Sequence, residues 1–187
     1  MSDFGYEVPP IAWSEIDDIT EQVRRKMNLL SQPYFPIGEY LELVMSNKLR
    51  LFDIEIMFRE EMPGEFATVS RDGRRLRIRE DVYEGVWRGV GHSRFTLAHE
   101  LGHMVLHCTG IEVYALASGQ SIPGYRNSEA QANYFASTLL MPRKFFSPTD
   151  EPITVSRRHG VSRPAALHRL KYLRSKGFLK TQPGLFN

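Results

Sequence analysis

Four side chains in AHELGHMVLH, residues 98–107, have the types and spacing of a metal-dependent hydrolase: His99, Glu100, His103 and His107. On a helix, residues four apart lie on one face about one turn apart, so His99 and His103 can bind one metal ion. Glu100 lies about 100° around the axis from His99, beside such an ion, where a base that activates a water molecule is needed. The segment therefore predicts a helix that binds Zn²⁺ and carries its own general base.

A buried helix with ordinary core histidines is the alternative. The segment is apolar almost all round, with Phe95, Leu97, Ala98, Leu101, Met104, Val105 and Leu106. This pattern predicts burial, and buried imidazole and carboxylate groups are costly without partners. A metal ion supplies such a partner, so we favour metal binding for His99 and His103.

A catalytic zinc ion usually has three protein ligands and one open position. His107 lies about 12 Å along the axis from the first His, so one straight helix cannot supply all three. Glu129 is the best candidate for the third ligand because it begins the next predicted helix, where Asn133, one turn later, could orient a zinc-bound His. Glu112 and Asp150 are weaker candidates because they lie in apparently irregular sequence.

Periodicity predicts the elements that hold these residues. One helix is expected over 94–107 with Ser93 as N-cap, and another over 129–141 with Ser128 as N-cap. The long segment between them, residues 108–127, is expected to wall the site. Three residues in or beside it are candidates to orient a ligand or to stabilise an oxyanion: His107, Tyr114 and Tyr125.

The first 80 residues predict two helices followed by a small antiparallel sheet. The helices are expected over 14–30, capped by Ser14, and over 37–45. The strands are expected over 51–58, 66–70 and 74–79, with a hairpin turn at 71–73. By analogy with other zinc peptidases, the strand 74–79 could present a free edge to an extended peptide.

The C-terminal segment has a different charge from the rest of the chain. Residues 153–187 hold eight of the 24 Lys and Arg and none of the 22 acidic residues. A helix, a Gly-Val-Ser turn and a second helix capped by Ser162 are expected, an order that resembles a helix-turn-helix. Candidate phosphate contacts are Arg157, Arg158, Arg163, Arg169, Lys171 and Arg174.

This segment supports a competing function, a DNA-binding transcriptional regulator whose zinc site is structural or sensory. Two further interpretations are a helical pair that packs on the peptidase domain with a solvated basic face, and a surface that docks an acidic protein partner.

Composition predicts an ordinary globular protein, with 42% apolar and 25% charged residues. The N-terminus MSDFGYEVPP lacks the features of a signal peptide, and no apolar run is long enough for a membrane span. Cys108 is the only cysteine, which fits a reducing compartment, so a cytoplasmic location without membrane contact is expected. We expect a peptidase domain over 1–150 and a basic helical segment over 151–187.

Two segments, RFTLAHELGHMVLH at 94–107 and YRNSEAQANYFASTLLMP at 125–142, closely resemble the ImmA/IrrE family of zinc metallopeptidases. The resemblance covers residues from about 14 to 145. It implies an α+β, zincin-like peptidase domain with one Zn²⁺ per chain. Gln131 stands where many members have a second acid.

The family pattern implies a role for each matching residue. Its two His ligands fall on His99 and His103, its general base on Glu100 and its third ligand on Glu129, as in a gluzincin. The implied activity is endopeptidase cleavage of a helix-turn-helix repressor or antitoxin, which switches on stress-response or mobile-element genes. Because the peptidase region begins within the first few tens of residues, the substrate is expected to be a separate protein cut in trans.

Overall fold

The computed structural model describes residues 6–108 and 122–179. The fold is mixed α+β, as the sequence predicts. In chain order the elements are α1 (Trp13–Lys26), α2 (Ile37–Glu39) continuing as a π-helix (Tyr40–Lys48), β1 (Asp53–Met57), β2 (Ala67–Val69), β3 (Arg75–Arg79), α3 (Glu80–Trp87), α4 (Gly91–His107), α5 (Ser128–Leu140), α6 (Pro152–His159) and α7 (Arg163–Ser175). None of the helices in this part of the chain has the length and apolar composition needed to cross a membrane.

Helices α4 and α5 pack closely against each other in the core. Their approach depends on Gly102 of α4, where an added Cβ would lie 3.1 Å from the Cα of Ala132 and 3.2 Å from its carbonyl oxygen. The side chains buried around this contact include Leu97, Leu101, Phe135, Ala136 and Leu139. The first turn of α5 is thereby held against the face of α4 that carries His99 and His103.

The sheet is mixed, so the prediction of an antiparallel sheet is wrong in part. The hairpin of β2 and β3 is antiparallel as expected, but β1 pairs with the other edge of β3 in parallel register. The prediction assumed that strands consecutive in sequence are neighbours. Instead β3, whose Leu76 and Ile78 are buried, takes the central position.

The central position of β3 also corrects the expected peptide-binding edge. Both edges of β3 are paired, so the strand predicted at 74–79 has no edge to offer. The edge strand beside α4 is β2. The Ser70 N–H and the Phe66 carbonyl are hydrogen-bonded to β3. In an antiparallel pair, the residues that bond to the partner strand alternate with residues that do not, so the backbone groups of Ala67 and Val69 face away from β3.

Several helices begin at residues other than those predicted. The N-terminus of α1 is closed by Glu15, whose carboxylate accepts from the Ala12 N–H at 2.8 Å, and not by Ser14. Helix α4 begins three residues early, at Gly91, and the predicted cap Ser93 is buried in its first turn.

The start of α5 is displaced in a similar way. Asn127 is its cap and accepts from the Ala130 N–H at 3.0 Å. The predicted cap, Ser128, instead accepts from the Tyr6 N–H at 2.9 Å, so its hydroxyl ties the N-terminal segment to this helix. The helix predicted over 37–45 extends to Lys48 with π-type bonds, for which the sequence carries no evident signal.

Helices α6 and α7 pack on the same core as α4 and α5. Gly160 at φ 63° ends α6, and the Ser162 hydroxyl accepts from the Ala165 N–H to begin α7. Arg94 of α4 is buried and connects this helix to the turn between α6 and α7, because it donates to the Gly160 carbonyl at 2.7 Å. It also donates to the Phe35 carbonyl at 2.8 Å. The predicted domain boundary at residue 150 stays a prediction.

Candidate metal centre

Three potential ligands converge between α4 and the first turn of α5. The Nε2 atoms of His99 and His103 lie 2.9 Å apart, and each lies 3.3 Å from one carboxylate oxygen of Glu129. Among the described residues, these three form the group whose ligand atoms all lie within 4.8 Å of one another. Two imidazole nitrogens and a carboxylate are a donor set that suits a divalent transition metal.

The chemistry of these atoms requires a positive species between them. Burial opposes ionisation of Glu129, but hydrogen bonds and attraction from His103 and His99 hold the pKa of its carboxyl well below its usual range. Two imidazole lone pairs facing each other beside a carboxylate repel unless a proton or a cation lies among them. The residues present therefore fit a bound metal ion.

Asn133 contacts His99 on the side away from Glu129. Its Oδ1 lies 3.0 Å from Nδ1 of His99, one turn of α5 beyond Glu129. An amide oxygen only accepts, so the His99 Nδ1 donates to it, and the His99 Nε2 is directed towards His103 and Glu129. This contact fixes the ring of a residue that is only 2% exposed.

His107 lies one turn beyond His103 and is not part of the converging group. Its Nδ1 lies 3.0 Å from Nδ1 of His103, and its Nε2 lies 2.9 Å from Oε1 of Gln131. Burial lowers the pKa of His107 to about 4, so the ring is neutral at pH 7. Gln131 was not predicted as a site residue, because the sequence drew attention to this position only for its lack of a second acid.

Glu100 is buried beside the converging group and near β2. Its helix packs beside β2, where the backbone groups of Val69 lie on the outer edge of the strand. Burial raises the pKa of Glu100 to about 7, although the neighbouring His103 and the backbone of Val69 oppose the shift. A carboxyl group tuned to this range can both take up and release a proton near neutral pH.

The other predicted residues are distributed differently. Tyr125 is about half exposed, at 48%, and its backbone carbonyl reaches this network by accepting from Gln131 at 2.8 Å. Asp150 pairs with Arg158, so it is committed to another part of the fold. Tyr114 and Glu112 lie outside the described residues.

The six candidate phosphate contacts divide into two groups. Arg169 is 4% exposed and donates to the Met141 carbonyl, so it cannot reach a phosphate, and its assignment is corrected here. Arg158 pairs with Asp150, and Arg174 donates to the Asp150 carbonyl at 2.7 Å. The residues whose side chains are exposed without such a role in the described fold are Arg157, Arg163 and Lys171.

The buried position of Glu100 predicts a pH-dependent gain in stability for Glu100→Gln. The folded-state pKa of about 7 lies above the ordinary 4.5, so the wild type loses stability as pH rises between these values. In the metal-free protein, the variant should be more stable than the wild type at pH 8 by on the order of 3 kcal/mol, and similar to it near pH 4.5.

Thermal denaturation in the presence of a chelator measures this difference. The gain at pH 8 corresponds to roughly 6–12 °C in Tm. Glu84→Gln, at an exposed carboxylate of α3 paired with Arg88, is the matched control and should change little. An equal effect of Glu100→Gln at both pH values would mean that burial does not raise this pKa.

Comparison with known proteins gives a family and a fold. The model of the family described as Peptidase_M78, IrrE N-terminal-like domain, matches residues 52–171, which include α4, α5 and most of the basic segment. A search of curated proteins finds no match. Among solved structures, a Mycobacterium tuberculosis transcriptional regulator is similar, with a TM-score of 0.56 and 17% identity. The match covers 91% of this chain and 48% of that one, so this chain spans about half its length.

Proposed function

Because this chain belongs to the family of IrrE N-terminal-like domains, Peptidase_M78, we propose that it is a zinc-dependent endopeptidase. His99, His103 and Glu129 are the proposed ligands and Glu100 the proposed general base. The observation that carries the proposal is the convergence of two Nε2 atoms and both Glu129 oxygens on one point beside a buried carboxyl group.

The donor set favours zinc among the divalent metals, since two imidazoles and one carboxylate form a common catalytic zinc site. When bound, the ion would polarise the scissile carbonyl and lower the pKa of water. Asn133 holds the His99 ring so that its Nε2 faces the site. Burial of His99 and Glu100 limits access of bulk water to the reacting groups.

Glu100 is proposed to transfer the proton in the reaction. Its carboxylate accepts a proton from the attacking water and donates it to the amine nitrogen that leaves when the peptide bond breaks. The burial that raises its pKa stabilises the protonated form between these two transfers. A positioned acid–base group of this kind contributes about 100- to 10,000-fold to the rate.

The outer edge of β2 is the proposed binding surface for the scissile segment. The backbone groups of Ala67 and Val69 face away from β3, and β2 packs beside α4, the helix that carries Glu100. An extended peptide that adds a strand here would run past the general base. Such a mode needs an unfolded segment of the substrate, since only an extended backbone can pair with a strand edge.

The proposed substrate is a separate helix-turn-helix repressor or antitoxin, cut in trans in the cytoplasm. Its test is incubation of the zinc-loaded protein with the products of neighbouring genes, followed by mass mapping of fragments. Cleavage at one or a few bonds is expected, with loss of cleavage in a chelator and recovery when zinc is restored. Cleavage that persists in the chelator would contradict the proposal.

A DNA-binding regulator is the second candidate. The exposed cations Arg157, Arg163 and Lys171, in a segment without acidic residues, favour it. The described part of the segment also packs in the core, and Arg94 bonds to its turn, which supports a structural role instead.

Binding to DNA through these three cations predicts a steep dependence on salt. The logarithm of the association constant should fall with the logarithm of salt concentration with a slope of about −3, because each phosphate contact releases counterions. A mobility-shift titration of a triple alanine variant at these positions should show this slope largely lost, whereas Glu100→Gln should bind as the wild type does. Absence of a shift by the wild type at low salt would remove the support for this candidate.

A further inference from the structure

The amide of Gln131 has a fixed orientation. Its Nε2 donates to two backbone carbonyls, those of Pro9 at 3.1 Å and Tyr125 at 2.8 Å. Carbonyl oxygens only accept, so the amide nitrogen must face them and Oε1 must face His107, 2.9 Å away. Gln131 is fully buried, so water does not compete for these contacts.

This orientation constrains where the protons of the two imidazoles lie. Because Gln131 Oε1 accepts, the Nε2 of His107 carries a proton. Nδ1 of His107 faces Nδ1 of His103 at 3.0 Å, so one of these two atoms must donate to the other. When His103 donates, both rings are neutral and the Nε2 of His103, the atom that faces Glu129 and His99, is a bare lone pair.

We propose that Gln131 and His107 are positioning residues that hold His103 with its proton on Nδ1 and so present the Nε2 lone pair to the metal. This inference rests on the proposed function for the identity of the metal. It gives His107, which lies too far along α4 to bind the metal together with His99, a role in orienting His103. His103 is oriented indirectly, by Gln131 through His107, whereas His99 is oriented directly by Asn133.

The relay from Gln131 through His107 to His103 also connects the metal centre to the N-terminal segment. The Pro9 carbonyl holds the Gln131 amide, and the neighbouring Val8 N–H donates to the Arg126 carbonyl at 2.9 Å, just before α5. The positions of Val8 and Pro9 therefore influence the orientation of His103, a proposed ligand on α4. A ring that is not held in this way can present a protonated Nε2, which cannot bind a metal.

Two measurements on Gln131→Leu test the proposal. Imidazole ¹⁵N spectra of the metal-free wild type should show His107 protonated at Nε2, and those of the zinc-loaded wild type should show His103 protonated at Nδ1. Gln131→Leu should abolish the preference of His107 and lower zinc affinity about 10- to 100-fold, the range found for partners that orient ligands. Affinity is measured by competition with a chelator on folded protein.

The matched control is Thr138→Val, on the same helix. Thr138 is buried and donates to the Tyr134 carbonyl, so its replacement also removes a buried hydrogen bond without touching the relay.

The outcomes separate the relay from the proposed function. The relay is overturned if Gln131→Leu binds zinc as the wild type does, or if affinity falls while the His107 tautomer is unchanged. An equal fall in Thr138→Val would also overturn it. If the wild type shows the expected His107 tautomer, and Gln131→Leu abolishes it, but neither binds zinc, the arrangement of protons stands and the zinc peptidase proposal fails.

Discussion

Replacing Glu100 with Gln is expected to lower the rate of peptide cleavage by about 100- to 10,000-fold and to leave zinc affinity nearly unchanged. Gln has the size of Glu, but it cannot take a proton from water. The three proposed ligands do not include Glu100, so the site should load normally. The measurement is the single-turnover cleavage rate of zinc-loaded protein, together with its metal content.

Glu84→Gln is the matched control for this experiment. It makes the same chemical change at an exposed carboxylate on α3, where only a surface ion pair is lost. Its cleavage rate should equal that of the wild type. Cleavage by Glu100→Gln at the wild-type rate would exclude Glu100 as the base, whereas loss of both metal and activity would indicate a structural role for it.

Replacing Glu129 with Gln is expected to lower zinc affinity more than about 100-fold, beyond the loss typical of residues that only orient ligands. Both oxygens of Glu129 face the histidine nitrogens at 3.3 Å, and the neutral amide removes the negative charge that stabilises a cation between them. Two imidazoles alone would then hold the ion. The effect should therefore be larger than that of Gln131→Leu.

Thermal denaturation with and without zinc measures this loss. At a free zinc concentration about 1,000 times the dissociation constant, binding should stabilise the wild type by roughly 4 kcal/mol, or about 8–16 °C in Tm. Glu129→Gln should lose most of this increase, whereas Glu151→Gln, an exposed acid at the start of α6, should keep it. A full zinc-dependent increase in Glu129→Gln would show that the third ligand lies elsewhere.

The relative position of His99 and His103 could be predicted because helix geometry alone sets it. A spacing of four residues brings His99 and His103 to one point, and the same reasoning excluded His107 from that point. The meeting of α4 with Glu129 was weaker as a prediction, since it depends on packing between two helices. The motif resemblance made that pairing specific, and the family match confirms the resemblance.

Features set by long-range packing could not be predicted in this way. Strand order depends on which strand is most buried, and consecutive strands gave the wrong neighbour for β1. Ser128 has the residue type of a helix cap, but Asn127 takes that role while Ser128 bonds to Tyr6, 122 residues away. Arg169 has the residue type of a phosphate contact, but it is buried.

The contacts of Gln131 are also set by long-range packing. Its partners Pro9, Tyr125 and His107 come from three separate segments, and no spacing in the sequence indicates that they meet. The position attracted attention only because it lacks an acid. The proposed role of Gln131 therefore depends on contacts that only the three-dimensional structure shows.

Cleavage profiling tests the central claim, that these residues form a metallopeptidase site, most directly. Zinc-loaded wild type and zinc-loaded Glu100→Gln are incubated with a library of peptides derived from a whole proteome, and new termini are identified by mass spectrometry. We predict new termini with the wild type that are absent with Glu100→Gln and with chelated wild type. Identical termini in all three samples, or none above the Glu100→Gln background, would contradict the account.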